Sequence, residues 1–255
     1  MAASPRPMTG TTGTTYQYKQ LLQEREHFGR VWLATSGREH FVLKDVLELI
    51  FEHFNEEIRP NVHIKPDNIM LDYHDDGGEL VVGKVQLTDL DNAAYLPNGR
   101  YIKGMVAGNE NWRSPEAFFR GKLSKPADMF SFGIVCIYAV IGRVIFGPDA
   151  DLQKREEQGA LPDMIRLQRQ VSYFGCEEGV EGLKAHLGGD EIGVKVLGML
   201  SEDRFEPYIP YKPFMEWAEV EDEAFRDLVL RLMDLDPAKR ITAQQALEHR
   251  WFEDV

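Results

Sequence analysis

The chain has 255 residues, 43% of them hydrophobic, enough for a sizeable core in one large domain or two small ones. With 42 acidic against 29 basic residues its net charge is -13, which excludes a nonspecific binder of nucleic-acid backbones, a task that needs clustered Lys and Arg. Two cysteines, Cys136 in an apolar run and Cys176 in a polar one, suit a reducing compartment and two free thiols better than a disulfide scaffold, so the expected place is inside the cell, in cytoplasm or nucleus.

Residues 1–16 are small and polar, without the apolar core of a secretory signal, and read as a disordered tail. Residues 17–46 read as strands. VWLA (31–34) and FVLK (41–44) are rich in β-formers and flank TSGREH, whose Ser-Gly supplies turn chemistry, so a hairpin is expected there. From 46 to 58 the period changes: Leu47, Ile50, Phe51, Phe54 and Ile58 recur at helical spacing, with Glu48, Glu52 and Glu56 on the other side. Short strands at 69–73 and 81–87 flank HDDGGE. Helical patterns then follow at 115–119, 127–144, 164–173, 191–200, 221–233 and 243–249. The most apolar stretch, 130–146, is interrupted by Ser131 and Arg143 and falls short of the roughly 20 residues of a membrane span, so it reads as a buried core helix. A β-rich start and an α-rich remainder predict an α+β fold of two lobes, an incomplete small lobe at 17–58 and a helical one at 59–255, with a cleft between them.

Three blocks carry chemistry: HIKPDNIML (63–71), QLTDLDNAA (86–94), and WRSPEA (112–117) with KPADMFSFGIV (125–135). In this order they resemble the eukaryotic protein kinase family, with its H-R-D-x-K-x-x-N loop, its D-F-G and A-P-E triplets and its aspartate opening a buried helix. The tail DPAKRITAQQALEHRWF (236–252) is similar to the closing segment of Ser/Thr kinases.

The resemblance implies ATP and Mg²⁺ as cofactors, and a protein substrate or binding partner. Lys65 would neutralise the γ-phosphate, and Asn68 and Asp89 would ligate Mg²⁺. Glu116 would pair with Arg240 as a brace, and Asp128 would hold the catalytic loop from the buried helix. Taken singly, Asn68 and Asp89 are ordinary turn or capping residues. In the small lobe, Gly29 and Val31 match the end of the glycine-rich loop and Lys44 the lysine on the α- and β-phosphates. Glu57, at the edge of the apolar stripe, is the candidate to position that lysine, and a solvated helix-end charge is the competing reading. Glu24 and Glu26 fall where the first loop glycines belong, so charge and bulk oppose phosphate there.

Two departures set limits on activity. The catalytic aspartate should lie two residues before Lys65, where this chain has His63. Read without gaps, Asn61-Val62-His63 replaces H-R-D; alternatively His63 is the family histidine and two residues are lost before Ile64. A histidine can serve as a base at neutral pH. The second departure is length. Only 18 residues separate Lys44 from His63, and the expected helix takes thirteen of them. The family places there that helix, two strands, the adenine-binding hinge and two more helices, which at ordinary element lengths need about 45 residues. From Leu90 to Arg113 there is no Ser or Thr, so phosphorylation of either cannot switch that segment, and Asn109 stands where Ser/Thr kinases place threonine. An active kinase, a binding module of the same fold and an incomplete gene model all remain open at this point.

Overall fold

A computed structural model describes residues 7–9, 13–25, 29–37, 39–45, 64–77, 79–89, 100–104 and 106–253. The chain divides into two compact units, Met1–Ile58 and Arg59–Val255.

The smaller unit is an antiparallel sheet in the order β1 (Met8–Thr9), β2 (Thr15–Arg25), β3 (Gly29–Ser36) and β4 (Glu39–Asp45). The expected hairpin is present with longer strands. Ser36 pairs with Glu39, and Gly37 takes a positive φ of 61° in the tight turn between them, where a side chain would be strained. Trp32 and Ala34 are buried, and Tyr18 meets the Trp32 ring edge-on at 5.5 Å. Within the stretch read as a tail, Met8 and Thr9 pair with Tyr16 and Thr15, because alternating β-formers from Thr15 onward offer a ladder edge. The helix expected at 46–58, with Glu57, and the residue His63 lie outside the described residues.

The larger unit opens with a turn, Pro66–Asn68, and a hairpin of β5 (Ile69–Asp76) and β6 (Glu79–Leu87). Eight helices follow among the described residues: α1 (Pro115–Phe118), α2 (Lys125–Ile141), α3 (Ala150–Glu157), α4 (Pro162–Phe174), α5 (Glu177–Leu187), α6 (Glu191–Asp203), α7 (Glu223–Leu232) and α8 (Ala243–Leu247). Helix α2 is the central element. Pro126 sits in its first turn, where no N–H is needed, and Gly142 ends it in the left-handed conformation at φ 72°, donating to the Tyr138 carbonyl. Phe130, Ile134 and Ile137 on α2 are fully buried, and the helix packs on Leu228, Val229 and Leu232 of α7. Gly133 permits that approach, since a Cβ there would collide with Met233. The predicted core helix and its neighbours are thus present, with no described helix long and apolar enough to cross a membrane. Cys136 lies buried on α2 and Cys176 is exposed at the start of α5, both as free thiols.

Together these elements form an α+β fold, one unit a small antiparallel sheet and the other mostly helical.

Candidate phosphate and metal site

Lys65 precedes a proline and is therefore extended, at φ -156° and ψ 156°. Pro66 then opens a single 3-10 turn, closed by the Asn68 N–H donating to the Lys65 carbonyl at 3.0 Å. The turn delivers Asn68 to a buried position, 4% exposed, immediately before the first strand of the hairpin. Across the ladder, Ile69 pairs with Leu87, and the Asn68 carbonyl accepts from both the Thr88 N–H at 2.7 Å and the Thr88 hydroxyl at 3.1 Å. Asp89 is the next residue. Lys65 and Asn68, in one turn, and Asp89, just beyond the far end of β6, therefore lie at the same end of the hairpin.

Asp89 adopts a positive φ of 56°, one of two non-glycine residues with such a φ among the described residues. Strain of that kind costs about 1 to 3 kcal/mol and is characteristic of functional positions. Lys65 is largely buried, with its ammonium 3.5 Å from the exposed Asp67 carboxylate. The amide oxygen of Asn68 and the carboxylate of Asp89 are hard donors of the kind that would hold Mg²⁺. Among the described residues no group of three or more His, Cys, Asp or Glu side chains could hold a metal ion.

Lys65 also borders a cavity lined by Asn109, Trp112, Arg113, Asp128 and Ser131. Asp128 sits in the first turn of α2, and burial, with the like charge of Glu116 adding to it, pushes its carboxyl up to about 7. Glu116 itself is fully buried. Burial raises it, but the Arg240 guanidinium, by charge and by hydrogen bonding, reverses that and holds it below the usual carboxylate range. The pair is bidentate, at 2.7 and 2.8 Å, and Arg240 also donates to the carbonyls of Asp234, Pro126 and Leu235 while lying over the Phe130 ring at 4.9 Å. The brace expected between Glu116 and Arg240 is present at those distances.

Sequence reasoning did not single out the groups that hold the segment 107–113 in place. Arg113 donates to the carbonyls of Ala107 and Gly108, both at 3.0 Å, and covers the Phe118 ring. Gln170 donates to the Arg113 carbonyl at 2.8 Å, and Arg166 pairs with Glu110 at 3.2 Å. The available signal was a run of long polar residues inside an amphipathic helix: Arg166, Gln168, Arg169 and Gln170 are all buried on α4. In the smaller unit the ladder sets Val31 directly opposite Lys44, with Gly29 two residues away at the start of β3. Glu57 and His63 fall outside the described residues.

A family model described as "Protein kinase domain" matches residues 40–252. The human dual specificity protein kinase CLK1 is 25% identical over 283 residues, covering 96% of this chain and 54% of the relative. Probable cell division control protein 7 homolog 2 of Encephalitozoon cuniculi is 26% identical over 194 residues, 71% of this chain and 50% of the relative. The rabbit (Oryctolagus cuniculus) calcium/calmodulin-dependent protein kinase type II subunit delta is 24% identical over 229 residues, 88% of this chain and 33% of the relative. The chain thus spans about half the length of human CLK1. With the kinase motifs in family order and a family match over most of its residues, this chain belongs to the protein kinase family.

Proposed function

We infer that this chain retains a turn able to hold magnesium and nucleotide phosphates but transfers the γ-phosphoryl group to protein Ser or Thr hydroxyls weakly at most, and that it acts chiefly by binding other proteins. One juxtaposition carries the reading. Lys65 and Asn68 lie in the turn that leads into the β5–β6 hairpin and Asp89 follows Thr88, which is bonded to Asn68, while residue 63, two positions before Lys65, is a histidine and not a carboxylate.

The division of labour follows from the chemistry. Phosphoryl transfer proceeds through a loose transition state, so most of the catalysis is positioning and charge stabilisation. Asn68 and Asp89 would share Mg²⁺ with the phosphates, and Lys65 would offset their charge. The group missing is the one that orients the substrate hydroxyl and takes its proton, a contribution of about 10²- to 10⁴-fold in rate. Asp128 lines the same cavity as Lys65. Kinase relatives support a protein substrate, and ATP chemistry together with two free thiols supports an intracellular place of action.

Transfer of labelled phosphate from ATP by the purified chain with Mg²⁺ is expected to stay at background. Thermal melting separates binding from turnover, because nucleotide at a hundred times Kd adds about 2.7 kcal/mol of stability. A Mg²⁺-dependent rise in Tm, lost in Asp89→Ala, is the expected result. Robust turnover abolished by Asp89→Ala overturns the inactivity, and no shift at millimolar Mg-ATP leaves only the binding role.

A second reading, a complete kinase whose sequence here lacks a segment, is favoured by one observation. The CLK1 alignment runs over 283 positions, and 96% of this chain supplies about 245 of them, so roughly 38 hold residues of the relative with no counterpart here. Sequencing the transcript between the codons for Ile58 and Ile64 decides it, since extra coding sequence there restores acid and hinge together.

A further inference from the structure

Hairpin β5–β6 has two unlike faces. Cross-strand partners share a face, and the pairs Ile69 with Leu87, Leu71 with Val85 and Tyr73 with Val82 put six apolar residues on one side. The other side carries Met70 with Gln86, Asp72 with Lys84 and His74 with Val81. An irregularity at Asp72 and Tyr73 keeps this division: it lets Val82, and not Gly83, fall opposite Tyr73. Ile69 packs on the helical core, but Leu71, Tyr73, Val82 and Val85 are 52 to 62% exposed. A two-stranded hairpin is marginal in water unless its apolar face is covered.

We propose that this face is a docking surface for an amphipathic helix of a partner protein, about 18 residues long, with an apolar stripe and with Lys or Arg at the end lying over the hairpin tip. A face is covered by packing against it; a strand added at the hairpin edge would leave Leu71, Tyr73, Val82 and Val85 in water. Strands of 8 and 9 residues extend about 28 Å at 3.3 Å per residue, which a helix rising 1.5 Å per residue matches in about 18. The tip is HDDGGE, in which Asp75, paired with Leu80, falls on the apolar face while Asp76 and Glu79 fall on the other, so a basic helix end is complementary to the Asp75 end of that face. A second copy of this chain, at net charge -13, brings the same sign of charge to the contact.

The probe is a fluorescent 18-residue helical peptide with a Leu stripe and a Lys-rich end, titrated against the full chain by anisotropy. Saturable binding is expected, weaker by about tenfold or more for a scrambled peptide and for the Val85→Glu chain, which buries a charge against the stripe. Val85 is solvent-exposed, so the variant is expected to melt with the parent. Asp75→Lys supplies an independent reading: it should weaken the Lys-ended peptide and strengthen a Glu-ended one. Equal binding of striped and scrambled peptides, or indifference to both substitutions, overturns the proposal. So does a dimer of the chain in sedimentation that Val85→Glu dissociates, which assigns the face to a second copy, or a transcript segment that covers it in cis.

Discussion

In the helical part of the larger unit apolar side chains close over one another, whereas in the hairpin that carries the candidate chemistry they face water. Phe130, Ile134 and Val229 are 0% exposed; Tyr73 and Val85, in the hairpin, are each 62% exposed. Both regions descend from the same family pattern. The helices supply each other's cover and need nothing further, but the hairpin positions Asn68 and Asp89 with only its base anchored. Scaffold and chemistry can therefore be lost separately, and disruption of the two regions should have very different costs.

The largest effect is expected at the buried brace. Glu116→Ala leaves the Arg240 guanidinium, 0% exposed, without its counter-charge, which costs about 3 to 5 kcal/mol in urea unfolding. Next comes Asp128. Its folded carboxyl titrates near 7 against an ordinary 3.8, so the native state holds the proton more tightly and stability falls as pH rises from about 4 to about 7, by at most about 4 kcal/mol. Asp128→Asn should flatten that slope and be the more stable protein at pH 8. Destabilisation at pH 8 instead would mean that N–H groups of the catalytic loop hold the carboxylate ionised. A smaller loss, about 1 to 3 kcal/mol, is expected for Gly133→Ala, where the new methyl displaces the flexible Met233 side chain between α2 and α7. Smallest is Val85→Thr on the open hairpin face, within about 0.5 kcal/mol by the same measurement. A loss above 1.4 kcal/mol there, a tenfold change in the folding equilibrium, would show that something already covers the face and would erase the contrast between the two regions.

Legibility in the sequence followed the same divide. Helices with a 3.6-residue apolar period were readable: 127–144 became Lys125–Ile141 and 221–233 became Glu223–Leu232, the latter started by the Asp222 carboxylate accepting from Ala224 and Phe225. Helices α3 and α5 were not individually readable. Helix α3, ADLQKREE, buries only Leu152 and so has no period to detect. Helix α5 carries Gly179 and Gly182, poor helix formers, and both are required by packing, since a Cβ on either would meet the side chain of Asp234 or Asp236. Of the site, Lys65, Asn68 and Asp89 were nameable from spacing and family order. That the Asn68 carbonyl is tied to Thr88 was not, because a contact between positions 68 and 88 depends on the hairpin register. The buried polar run on α4 was hidden for a related reason: Arg169 looks like a surface residue until Asp149 and Asp151, at 2.7 and 3.0 Å, are seen to neutralise it.

The two thiols make the molecule its own stopwatch. Cys136 is buried on the central helix and its thiol is pushed up to about 12 by burial, so it is almost never a thiolate in the native state, while Cys176 stands in solvent at the start of α5. A thiol reagent should therefore mark Cys176 within the first moments and reach Cys136 only when the helical body opens as a whole. The lag between the two modifications reads the lifetime of that body without any denaturant.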